Sequence, residues 1–222
     1  MLLVLESSAN YPSICLIDKS GEIVHSVCIQ EEKAHAEMLP LLIEGAMTFL
    51  ENNGLSLEAV ALNQGPGSYT GLRIGTSLVK GLCYGLSLPL IGVNGLEAMA
   101  RFALSQFPNK KRAFAMLDAR RDEVYVQILD KKGELTAVTA QIIIPETWDI
   151  DGPNDVFIGN ANQKAMDLLN VKNIASIEGP IATQLAMAAF ESWQAKKFES
   201  VAYFEPFYLK EFQAGISKKF AL

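Results

Sequence analysis

A chain of 222 residues that is 50% hydrophobic has enough apolar material for one large core or two smaller ones, so it needs neither a disulfide frame nor a metal to fold. A net charge of −6 argues against an extended nucleic-acid-binding face, which requires Lys and Arg to displace counterions, and predicts that any role near RNA is indirect. No apolar stretch approaches the roughly 20 residues that span a bilayer, and Met1 leads straight into a strand-like run rather than a basic leader, which predicts a soluble, cytoplasmic protein with no membrane partner.

Taken in chain order, Leu2–Glu6, Ser13–Ile17 and residues 22–29 alternate or run apolar around a turn at Asp18-Lys19-Ser20-Gly21, and predict an antiparallel meander. A helix is predicted over 38–50, where Met38, Leu39, Leu42, Ile43, Ala46, Phe49 and Leu50 recur at helical spacing. Pro40 falls in its opening turn, and Gly54 stands where a carboxyl cap belongs. A strand over 60–63, a helix over 72–86, a strand over 90–93 and a helix over 96–104 follow. The three cysteines, Cys15, Cys28 and Cys83, are widely spaced among apolar neighbours and predict reduced core thiols.

Between the strand and helix of this middle section lies Gly65-Pro66-Gly67-Ser68-Tyr69-Thr70-Gly71. Its glycines allow positive φ and close approach, and Ser68 and Thr70 can cap the next helix. Gly65, Gly67, Ser68, Thr70 and Gly71, with Arg73 beyond them, form a candidate loop for a phosphate or for a partner's backbone at a helix amino end. The alternative is a well-capped turn. The loop is neither a Walker A motif nor Gly-x-Gly-x-x-Gly.

After a break at Pro108-Asn109-Lys110-Lys111 the same order begins again. Strands are predicted over 113–117, 124–129 and 135–141, with a turn at Asp130-Lys131-Lys132-Gly133; a helix or loop over 145–150, a strand over 156–158, a helix over 161–169, a strand over 174–177 and a helix over 181–195 complete a looser copy. Two βββαβα units predict an α/β protein of duplicated ribonuclease-H-like lobes with mixed sheets and packed helices, divided into 1–108 and 109–222. A ligand of such a protein would lie between the lobes.

Helices 38–50 and 72–86 carry apolar residues over more than a narrow stripe, so they are buried either by their own lobe or by another chain. Leu39, Leu42, Ile43, Ala46, Leu72, Thr76, Val79, Lys80 and Cys83 are the candidate partner-binding residues. If no partner is present, the same surface can pair with a copy of itself. The motif Asp118-Ala119-Arg120-Arg121-Asp122-Glu123 reads as a hairpin turn whose charges pair in solvent. Asp118, Arg120 and Arg121 are equally candidates for an interface, where Arg is a preferred contact.

Three runs carry a resemblance: residues 65–75 (Gly-Pro-Gly-Ser-Tyr-Thr-Gly-Leu-Arg-Ile-Gly), Asp118-Ala119-Arg120-Arg121-Asp122-Glu123-Val124-Tyr125, and Pro206-Phe207-Tyr208-Leu209-Lys210. Together they resemble the bacterial TsaB (YeaZ) family, over nearly the whole chain. The resemblance implies an actin-like, sugar-kinase-like ATPase fold and a non-catalytic role beside TsaD in making N6-threonylcarbamoyladenosine at position 37 of tRNAs that read codons starting with A. It further implies a TsaD heterodimer, TsaE in a larger complex, a homodimer in isolation, and no required cofactor, with ATP or ADP placed at the joint with TsaD. A small-molecule kinase or ATPase, and less favourably a metallopeptidase, are the alternatives.

Departures from the related patterns sharpen this. Where TsaD has Val-Asn-His-Met-Glu-Gly-His, with imidazoles one helical turn apart on a metal, this chain has Val93-Asn94-Gly95-Leu96-Glu97-Ala98-Met99, and neither Gly95 nor Met99 serves a hard divalent ion. Glu6-Ser7-Ser8 stands where Asp-Thr-Ser is usual, which places the carboxylate a methylene out of position for chemistry and predicts that Glu6 ends a buried strand against a nearby donor. Lys210 replaces an arginine, keeping charge and losing the fork. His35 is read as a surface or capping residue.

Overall fold

The computed structural model describes residues 1–31, 34–172 and 174–210. Its first sheet comprises β1 (Leu2–Glu6), β2 (Ser13–Ile17), β3 (Ile23–Cys28), β4 (Ala59–Gly65) and β5 (Leu90–Asn94), in the spatial order β3-β2-β1-β4-β5. Strand β1 is central, antiparallel to β2 and parallel to β4. All five of its residues are buried, because both faces of the sheet are covered, and a strand covered on both sides reads as an unbroken apolar run. The period of two still sorts its side chains. Leu3 and Leu5, with Val60 and Leu62 of β4, pack under α1 (His35–Asn52) and α2 (Tyr69–Leu86), while Leu2, Val4, Ala59 and Ala61 face the opposite layer.

The second sheet repeats the plan with β6 (Arg112–Asp118), β7 (Glu123–Asp130), β8 (Thr139–Ile142), β9 (Asp155–Ile158) and β10 (Ala175–Ile177), in the order β10-β9-β6-β7-β8. Here β6 is central, and Phe114 and Met116 face a cluster that includes Ala165 and Leu169 of α4 (Asn162–Leu169). A single 3-10 turn, Pro145–Thr147, occupies the stretch left open between helix and loop. The third strand of this lobe is shorter and later than the span 135–141: Leu135 makes only an isolated bridge to Leu129, and pairing with β7 begins at Thr139. The two-lobed, mixed-sheet α/β architecture is as the duplicated pattern predicts.

The lobes are less separable than a boundary at 108 implies. Helix α3 (Gly95–Gln106) lies before the break, yet Leu96, Met99, Ala100 and Ala103 pack on the second sheet against Ala113, Ala115 and Leu117. Helix α5 (Ala182–Gln194) comes from the second half and lays Ala182, Leu185, Ala186 and Ala189 on the first sheet. The exchange has a steric basis, since the small Ala59 and Ala61 of β4 admit a helix whose contact face is itself mostly alanine. Arg101 of α3 forks onto Glu191 of α5 at 2.7 and 2.8 Å, tying the two inner helices together. The end of the second-lobe span, to residue 222, lies outside the described residues.

Beyond α5 the chain returns along the first lobe. Glu199 N bonds Leu90 O, Lys80 Nζ holds the carbonyls of Ala202 and Phe204 at 3.0 and 3.1 Å, and Phe204 enters the core beside α2. Phe207 N then bonds Gln64 O, the Tyr208 ring meets Tyr69, and Lys210 pairs with Glu123 of the second lobe. This strap crosses the glycine loop and joins the lobes. Among the described residues, no helix is long and apolar enough to cross a membrane.

Candidate functional site

A cleft of about 1090 Å³ opens between the lobes. The first lobe supplies the β1–β2 turn (Ser8, Ala9, Asn10), the start of α1 (His35, Ala36) and the glycine loop from Gly67 to Gly71. The second supplies the β6–β7 turn, including Asp118, Arg120, Arg121 and Glu123. One bridge closes its floor: Asn160 accepts from Asp118 N at 2.9 Å and donates to Asn10 Oδ1 at 3.2 Å.

The glycine loop is shaped by the chain's own backbone. Gly65 has φ +110°, and a Cβ there would lie 2.6 Å from Phe207 O. A Cβ at Gly67 would collide with the Ser8 carbonyl, one at Gly71 with the Ser7 carbonyl, and one at Gly75 with Ser7 Oγ. The glycines therefore let α2 lie directly on the β1–β2 turn, a close approach that only the absent side chain permits. Ser68 caps α2, its Oγ accepting from Gly71 N at 3.3 Å, while its own N–H donates to Ser8 O at 2.7 Å. Thr70 is exposed on the cleft wall. Arg73 lies outside this cleft, over the Tyr69 ring at 4.1 Å.

Glu6 is completely buried. One carboxylate oxygen accepts from Ser8 N and the other from Asn63 Nδ2 at 2.6 Å; Asn63 also donates to Ser8 Oγ at 2.9 Å and accepts from Gly65 N at 2.9 Å. Burial pushes the Glu6 pKa up, against the opposing pull of these hydrogen bonds. The expectation that Glu6 ends a buried strand against a nearby donor holds, and the carboxylate does not reach the cleft wall. The same amide fills the space beside Gly95, where any Cβ would strike Asn63. Met99 is fully buried in the inner core. Both positions that carry imidazoles in the resembling TsaD motif are thus packed as structure.

Several expected side chains face elsewhere. Leu39, Leu42, Ala46, Leu72, Thr76, Val79 and Cys83 are buried within the first lobe, because each lies on the inner face of α1 or α2. Their side chains are spent on the lobe's own core. Ile43 is half-buried against the same core, and Lys80 is spent on the strap. The outer face of these helices instead presents Leu41, Gly45, Gly81, Tyr84, Gly85 and Leu86, with Tyr84 84% exposed. Helical spacing identified the apolar positions, but not which belonged to the narrower outward set.

His35 is not a surface residue. It is 7% exposed, lies beside the cleft, and leaves Nε2 without a partner among the described residues. Burial lowers its pKa, opposed by its hydrogen bond to the Ala9 backbone. Nothing in a lone histidine before a helix distinguishes this from a capping role. Of the thiols, Cys15 and Cys83 are buried, with burial pushing them up to about 12 and about 11, whereas Cys28 is exposed because β3 is an edge strand. In the β6–β7 turn, Asp118 pairs with Lys164 at 2.8 Å and Glu123 with Lys210, so the acids find lysines rather than the neighbouring arginines. Arg120 and Arg121 take positive φ at 70° and 51° and make no ion pair among the described residues.

Two mixed sheets, an inner pair of exchanged helices and an interlobe cleft define a protein of the actin-like ATPase fold. Consistent with this, the structure aligns with the ADPNP-bound activator of a 2-hydroxyisocaproyl-CoA dehydratase from Clostridium difficile, at TM-score 0.50 and 12% identity over 88% of this chain and 96% of that one. Residues 22–188 match the family model described as TsaD, tRNA N6-adenosine threonylcarbamoyltransferase. The chain is 30% identical to the tRNA threonylcarbamoyladenosine biosynthesis protein TsaB of Haemophilus influenzae, over 94% of its length and 93% of that relative. It is 28% identical to the Escherichia coli TsaB over 94% of each. A Pseudomonas aeruginosa crystal structure, described as an uncharacterized protein with similarity to peptidase YEAZ, superposes at TM-score 0.76 and 25% identity, covering 94% of this chain and 99% of that one. The chain belongs to the TsaB (YeaZ) family.

Proposed function

We propose that this protein is the non-catalytic partner of a TsaD-type enzyme in the synthesis of N6-threonylcarbamoyladenosine at position 37 of tRNAs that read codons starting with A. The observation that carries the reading is the closed Glu6–Asn63–Ser8 network: the carboxylate at the end of the first strand is sealed from the cleft, and the amide that seals it occupies the space beside Gly95. What this body offers is a surface. The outer faces of α1 and α2 expose Leu41, Tyr84 and Leu86 beside Gly45, Gly81 and Gly85, whose missing side chains leave open space for a helix of another chain. TsaD docks there in this reading, and a homodimer of the isolated protein uses an overlapping face. TsaE joins the larger complex, ATP or ADP binds at the joint with TsaD, tRNA contact is indirect, and the setting is the cytoplasm.

Reconstituted threonylcarbamoyl transfer tests this. The rate depends on adding this protein, and the protein alone has none. Tyr84→Asp combined with Leu41→Asp abolishes co-elution with TsaD and the rate gain, while the stability of the isolated chain changes by no more than about 0.5 kcal/mol because both sites are exposed. Transfer by the lone chain, or a TsaD rate indifferent to its presence, sinks the proposal.

A further inference from the structure

The outer face of α1 carries charge of one sign. Over its 18 residues the helix has three acids, Glu37, Glu44 and Glu51, and no Lys or Arg. A spacing of seven keeps the three on one line along the helix. All are exposed, and none makes an ion pair among the described residues. On α2, Lys80 is held by the strap carbonyls of Ala202 and Phe204, and Arg73 sits at the cleft end of the helix over the Tyr69 ring.

The same two helices expose apolar surface. Leu41, Tyr84 and Leu86 are 56%, 84% and 48% exposed, and nothing lies within 4 Å of a Cβ added at Gly45, Gly81 or Gly85. Apolar area favours any chain that covers this face, but the acid row does not. A surface laid over it either supplies cations or leaves like charges facing one another. A second copy of this chain brings its own three acids to an isologous interface. A helix bearing Lys or Arg beside its apolar side chains turns the same carboxylates into attraction.

We infer that the acid row of α1 is a selector: it disfavours a second copy of this chain on the outer face and favours a partner helix whose apolar side chains are flanked by Lys or Arg. The inference rests on the reading of this face as the docking surface for the TsaD-type enzyme, and adds what decides between that enzyme and self-pairing. Selection here comes from a repulsive element as well as an attractive one. Exposed charges act through a field that salt screens, so the two complexes respond to salt in opposite directions.

Sedimentation of the full-length protein, alone and with the TsaD-type enzyme, at about 50 and about 500 mM NaCl is the test. Salt tightens the homodimer and weakens the heterodimer. Glu37→Gln with Glu44→Gln and Glu51→Gln keeps side-chain size and helix propensity at exposed positions, so the fold is retained. It tightens the homodimer, weakens the heterodimer, moves the ratio of the two affinities by about tenfold, and removes most of both salt responses. A control that changes three exposed acids elsewhere to Gln, Glu134, Glu146 and Glu178, alters net charge equally and leaves the ratio as it was. Three results overturn the inference while leaving the docking surface in place: both complexes responding to salt with the same sign, a row variant with the parent's ratio, or a control that moves the ratio as far. No heterodimer at either salt concentration overturns both readings.

Discussion

Two turns meet at the cleft, each following the central strand of its lobe and each beginning at an acid, yet Glu6 is fully buried and Asp118 is 48% exposed. Glu6 is matched by neutral donors, Ser8 N and the Asn63 amide, whereas Asp118 is matched by the Lys164 ammonium in partial contact with solvent. Topology put an acid at the same place twice; the packing around it set opposite environments. In the first lobe three glycines bring α2 down onto the turn and exclude water. The second turn has no such lid, and its arginines line the cleft without an ion pair among the described residues.

The largest effect should come from lifting that lid. Gly71→Ala forces a Cβ into the Ser7 carbonyl and should cost about 2–3 kcal/mol in urea unfolding, the range for an overpacked core. A smaller loss, about 2 kcal/mol, is expected for Asn63→Leu, which strands a Glu6 oxygen and the Gly65 N–H in a buried site. A Gly71→Ala variant as stable as the parent would show that the turn is looser than its counterpart's contrast implies.

The comparison also has a pH signature. Because the folded protein holds the Glu6 proton more tightly than the unfolded chain does, this group's contribution is fully present below the ordinary glutamate range and is lost as pH rises toward the elevated folded value. Stability measured across that window should decline in the parent and lose that decline in Glu6→Gln. The smallest effect belongs to the exposed turn: Lys164→Met removes the partner of Asp118 and should change stability by at most about 1 kcal/mol, with a dependence on salt.

Much of the scaffold was legible in the residues. Leu2–Glu6 and Ser13–Ile17 are strands at the expected bounds, and Gly54 does close α1: its N–H bonds Glu51 O while Leu55 N reaches back to Leu50 O. The glycine loop was legible as a close approach, though not as an approach to Ser7 and Ser8, which lie some sixty residues earlier in the chain. Helical spacing in α1 and α2 found the buried positions and left open whether their own lobe or another chain covers them, because periodicity marks an apolar face without saying what covers it. The exposed alternatives, Gly45, Gly81 and Gly85, carry no hydrophobic signal at all.

By itself the sequence determined the alternation of elements, their duplication, the loss of imidazoles at Gly95 and Met99, and the family resemblance, since each is written in local spacing or residue type. Only the tertiary structure decided that α3 and α5 exchange sheets, that Asn63 seals Glu6, that His35 is buried, and that Arg120 and Arg121 make no ion pair among the described residues. These depend on contacts between residues far apart in the chain, where burial and hydrogen-bond satisfaction are set by which surfaces meet rather than by which residues are neighbours.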